Sequence, residues 1–223
     1  MQCYLFAAIG VWLITDFTAT SQNSILSTGN WYKISVHETG IHRITYDDLL
    51  SYGIDPDQVN PKNIRIYGNG NGMLPESNEG LCYDDPVENA IFVFGEEDEV
   101  FDEEDYVLFY GEGPTEWTYN SSTEVFEHTI NLYSDYTYYY FNFDLGQGKR
   151  IPEQFSTIIP YTHTSTSFND YYAHEQELEN LIHSGKQWFG ERFEETTQYN
   201  FEVTFPNLVT DTQILMDARV AAR

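Results

Sequence analysis

The stretch Trp31-Tyr32-Lys33-Ile34-Ser35-Val36-His37-Glu38-Thr39-Gly40-Ile41-His42-Arg43-Ile44-Thr45-Tyr46 sets the fold class. Two runs of alternating apolar and polar residues flank a turn that ends in glycine. Alternation with period two is the mark of a half-buried strand, and the pair predicts a β-hairpin. Asp47-Asp48-Leu49-Leu50-Ser51-Tyr52 follows, with acidic residues at its start and Gly53 at its end, so a short helix is expected near 47–52.

Further strands are expected downstream. Ile64–Tyr67 precedes a loop with glycine at alternate positions, Gly68-Asn69-Gly70-Asn71-Gly72. Ala90–Phe94 and Tyr106–Tyr110 are near-continuous apolar runs, which predict strands buried on both faces. Thr137–Phe143 is another strand candidate. Phe168, Tyr171, Tyr172, Leu178, Leu181 and Ile182 recur at helical spacing, Ser167 and Asp170 resemble a capping box, and Gly185 follows. One long helix is therefore expected near 168–184. Tyr199–Phe205 and Gln213–Val220 read as strands. The expected class is mainly β, a sandwich or barrel-like set of sheets, in keeping with 18 Tyr and 15 Phe.

Tyr4–Ile14 is an apolar run too short to span a bilayer comfortably, and Ala19 and Ser21 supply small residues behind it. Residues 1–21 read as a signal peptide cut before Gln22, although no Lys or Arg precedes the run; a buried strand or helix is the alternative. Residues 22–160 then form an acidic β-rich domain. Residues 161–223 hold the helix and the start of a second β segment, and the strand pattern running up to Arg223 suggests a longer protein.

The net charge is −26, and no Lys or Arg occurs between Ile66 and Gly148. Such a surface repels phosphate, which excludes nucleic acid as a partner. The glycine loop is not a phosphate cradle either: it lacks GK[ST], its third glycine falls one residue early for G-x-G-x-x-G, and Leu74-Pro75 opens no helix. A shaped turn is the reading.

Glu96–Asp105 carries carboxylates at eight of ten positions. Calcium takes six to eight oxygen ligands on a flexible loop, and Glu96, Asp98, Asp102 and Asp105 could converge if the chain turns at Val100-Phe101. A solvated acidic turn is the other reading. No cofactor is required by any motif, and calcium is the one ion to consider. Cys82 sits among Glu79, Asp84 and Asp85, which oppose a reactive thiolate, so a structural or incidental thiol is expected. The six histidines are scattered, with no HExxH and no G-x-S-x-G. No catalytic residue is assigned. Trp188, flanked by glycines at 185 and 190, is expected to pack as an anchor against the sheet, or else to stand at a partner surface.

Several blocks together resemble the N-terminal region of the type IX secretion sortases of Bacteroidota, gingipain-type cysteine peptidases. They are Gly29–Ile34, Glu38–Leu49, Ile64–Glu76, Glu88–Ile91, Phe101–Gly111 and Ser184–Glu191, in family order. The resemblance implies a surface protease and transpeptidase at the outer membrane. That enzyme removes the C-terminal sorting domain of exported cargo and joins the cargo to anionic lipopolysaccharide. It implies a catalytic Cys and His in a domain beyond residue 223, so this chain is expected to be inactive. Its expected partners are the downstream catalytic domain, secreted cargo and other surface components of the secretion system. A non-enzymatic binding or adhesion module is the alternative.

Overall fold

The structure is a computed structural model that describes residues 23–221, apart from 81, 124, 157–159 and 184. The expected signal peptide lies outside the described residues. The chain divides into two compact units, with the boundary between Glu153 and Gln154.

The first unit is a β-sandwich. One sheet has the order β1-β9-β3-β4, with β1 at Tyr32–Val36, β3 at Arg65–Tyr67, β4 at Glu88–Asn89 and β9 at Thr137–Asn142. The other has the order β2-β6-β5, with β2 at Gly40–Thr45, β5 at Phe92–Phe94 and β6 at Tyr106–Gly111. A separate two-stranded ribbon pairs β7, Glu116–Asn120, with β8, Val125–Thr129. All strand pairings within these sheets are antiparallel.

The two strands of the opening motif exist, but they do not form a hairpin. Tyr32 of β1 lies opposite Phe141 of β9, and Gly40 of β2 lies opposite Gly111 of β6. The turn at His37–Thr39 carries the chain from one sheet to the other. The physical reason is burial: across this turn the inward residues Val36 and Ile44 both enter one core from opposite sides. Ile66, Tyr139 and Phe141 line that core from the first sheet, and Val93, Val107 and Phe109 from the second. The rings of Phe109 and Tyr139, one from each sheet, stand 5.5 Å apart across it.

The apolar runs also differ from expectation. β5 is an edge strand, and β5 and β6 alternate rather than being buried on both faces: Val93, Val107 and Phe109 point inward while Phe92, Phe94 and Tyr110 are exposed.

The expected short helix is α1, Tyr46–Ser51, which buries Leu49. Thr45 is its N-cap, and a reciprocal bond pair joins Thr45 and Asp48: the Thr45 hydroxyl accepts the Asp48 N–H while the Asp48 carboxylate accepts the Thr45 N–H at 2.8 Å. Two orphan amides of the helix start are thereby satisfied.

In the second unit, the long helix expected near 168–184 is not present among the described residues. The backbone bonds there are spent elsewhere. The amides of Leu178 and Glu179 both donate to the Phe189 carbonyl at 2.9 Å, and Phe189 returns a bond to Glu179 at 2.8 Å. His183 and Gly185, at φ 52° and 71°, lie between the paired positions. Phe168, Tyr171, Leu178 and Ile182 remain exposed. An amphipathic stripe stabilises a helix mainly by being buried, and without that burial the helix loses its main support. Tyr199–Phe205 and Gln213–Val220 are likewise not strands, since no partner strand is present for them among the described residues.

Candidate functional site

The glycine loop, which follows β3, borders an open cleft of about 400 Å³ in the first unit. Its three glycines have different reasons to be glycine. A Cβ on Gly68 would collide with the Tyr139 ring. Gly70 and Gly72 have φ of 81° and 92°, in the left-handed region that side chains resist.

Polar bonds then hold the loop down. The Gly68 amide donates to the Val87 carbonyl at 2.9 Å. The Asn69 side chain accepts the Val87 amide at 2.9 Å and donates to the Asp85 carbonyl at 3.2 Å. Glu112 accepts the Asn71 amide at 3.2 Å, and its own amide donates to the Tyr139 hydroxyl at 2.8 Å. Burial pushes the Tyr139 phenol above its ordinary value, so it stays a neutral acceptor at that amide. Tyr83, Val87, Asn89 and Tyr110 complete the wall. Aromatic rings, the Glu112 carboxylate and the carboxamides of Asn69 and Asn89 can bind a small polar group.

The acidic run folds around Phe101, which is wholly buried. Its four candidate calcium ligands are each engaged locally. Glu96 accepts Arg150 Nε at 2.7 Å, Asp98 accepts the Val100 amide at 3.1 Å, and Asp102 accepts the Glu104 amide at 3.1 Å. Asp105 is 4 % exposed and accepts the Asp102 amide at 3.1 Å. Burial raises the Asp105 carboxyl above its ordinary value, against the lowering effect of that backbone bond. Among the described residues no three His, Cys, Asp or Glu side chains are grouped to hold a metal ion.

Arg150 was not singled out from the sequence, yet it clamps this region. Besides Glu96, its guanidinium donates to the Pro61 carbonyl at 2.8 Å and the Ile64 carbonyl at 3.1 Å. Lys62 docks on the same run through Glu99 at 3.0 Å. The signal was available: both cations lie just outside the cation-free stretch, beyond Arg65 and Lys149.

Cys82 is a free, exposed thiol. His37 bonds the Asp135 carbonyl, His42 the Glu38 carbonyl and His174 the Glu191 carboxylate at 2.7 Å. The hydrogen bond from His174 holds the Glu191 carboxyl below its ordinary value. Trp188 is 39 % exposed.

Likeness to a solved structure adds a further observation. A crystal structure of dimeric latent PorU from Porphyromonas gingivalis matches with a TM-score of 0.51 and 29% sequence identity over 76% of this chain. The chain is similar to PorU. It spans 14% of the PorU chain. No family model matches, and no curated protein matches.

Proposed function

We propose that this chain is the non-catalytic N-terminal module of a PorU-like sortase. In this reading the parent is an exported cysteine peptidase and transpeptidase at the cell surface. It removes the C-terminal sorting domain from cargo and attaches the cargo to anionic lipopolysaccharide. The module itself packs on the downstream catalytic domain and can meet cargo or other surface components.

The observation that carries the reading is the similarity to PorU over 76% of this chain but only 14% of that one. Cys82 supports the division of labour, because it is exposed, with acidic neighbours at Asp84 and Asp85. A thiolate nucleophile needs a base or positive charge beside it.

The test is the reading frame past Arg223. A following α/β domain with a Cys and a His at strand ends is the expected result. A closed frame, or an unrelated surface domain, contradicts the reading and favours an adhesion module.

A further inference from the structure

Antiparallel sheets that face water carry polar residues on their outer side. The first sheet does so, with Lys33 and Ser35 outward and the Lys33 ammonium seated 3.5 Å from the Tyr138 ring centroid. The β2-β6-β5 sheet does not. In register, its outer positions include Phe92 and Phe94 from β5, Tyr106 and Tyr110 from β6, and Ile41 and Arg43 from β2, with Leu108 and Thr45 on the same face. Ile41 is 75 % and Tyr110 56 % exposed. The rings of Phe94 and Tyr106 stack at 5.0 Å, and Arg43 lies 4.4 Å from the Tyr106 centroid. In a chain of net charge −26, Arg43 is the one charge among these residues. Apolar and aromatic residues with a single arginine are the composition of an interface centre.

We infer that this outer face is where the polypeptide beyond Arg223 packs back, through an apolar surface with an acceptor for Arg43. The inference rests on the proposed module reading. Two arguments favour a tethered occupant over a second copy. Strands about 4.8 Å apart, rising about 3.4 Å per residue, give the face roughly 250 Å². A stable complex of separate partners buries roughly 800 Å² on each side. A covalent tether supplies millimolar effective concentration and makes a smaller patch sufficient. Two copies of this chain would also bring like charges of −26 together.

The protein as encoded, with Cys82→Ser, is given Phe94→Cys or, separately, Ile41→Cys, and maleimide addition at that position is timed by peptide mass spectrometry, which separates it from any cysteine beyond Arg223. The same variants in the 223-residue chain set the rate for an open face. At least tenfold slower labelling at both positions, independent of protein concentration, is expected in the protein as encoded. Equal rates in a protein that carries a further folded domain overturn the inference and leave the module reading standing. Slowing that grows with concentration, with a doubled mass by light scattering, overturns it in favour of a second copy. A frame that ends without a further domain removes the module reading and this inference together.

Discussion

Residues 23–153 and residues 154–221 are both rich in aromatic and aliphatic side chains, yet they place them differently. In the first unit Phe101, Phe109, Tyr139 and Phe141 are buried; in the second Phe155, Phe168, Leu215 and Val220 are exposed. The difference lies in distant partners. Each long strand of the sandwich finds its mate far along the chain, as Tyr32 finds Phe141, and together they make the surface on which side chains are buried. The second unit has the isolated pairing of Glu179 with Phe189 instead. An apolar pattern only asks for a surface; other parts of the chain have to provide it.

The largest expected break in this comparison is Phe109→Ala, which empties the contact between the two sheets. It should cost about 3–5 kcal/mol in chemical denaturation, whereas Phe168→Ala in the second unit should stay within about 0.5 kcal/mol. Similar costs at both sites would remove the distinction between the units. Next come two anchors of the loops around the sandwich. Arg150→Ala leaves Glu96 and two carbonyls without their donor and should cost about 1–3 kcal/mol. Gly68→Ala drives a methyl into the Tyr139 ring and should cost a similar amount, about 1–3 kcal/mol, by overpacking. Urea midpoints of both variants check these values, and an unchanged midpoint for Gly68→Ala would mean that the Tyr139 ring yields freely.

A smaller effect is expected from pH. The folded-state pKa of Asp105 lies above its unfolded value, so between those two values the folded state binds more protons. Its contribution is fully present below the unfolded pKa and is lost as pH rises through the folded pKa. Asp105→Asn should flatten the fall of stability over that window; an identical pH profile would exclude Asp105 as its source. The smallest expected effect is that of calcium. Glu96, Asp98, Asp102 and Asp105 already serve Arg150 and local amides, so adding calcium and then chelator should leave the melting midpoint in place. A chelator-reversible rise would show that these carboxylates regroup around the ion.

What the sequence made legible was local. The strands at Tyr32–Val36 and Thr137–Asn142 follow from alternation, and α1 follows from acidic residues and a terminal glycine. Pairing was not legible, because His37–Thr39 reads equally as a hairpin turn or as a crossing between sheets. Only the distant mates Phe141 and Gly111 decide it. Periodicity at 168–184 misled for the same reason: Phe168 and Ile182 have helical spacing but stay exposed. At the candidate site, the need for glycine at 68 depends on Tyr139, a residue 71 positions away whose approach no local pattern encodes.

The reading proposed above makes this chain a module that does no chemistry itself. It is tested most directly by incubating the purified chain with a peptide carrying a C-terminal sorting sequence and following cleavage by mass spectrometry. The account predicts no cleavage, with or without alkylation of Cys82. Cleavage that is abolished by alkylating Cys82 would contradict it.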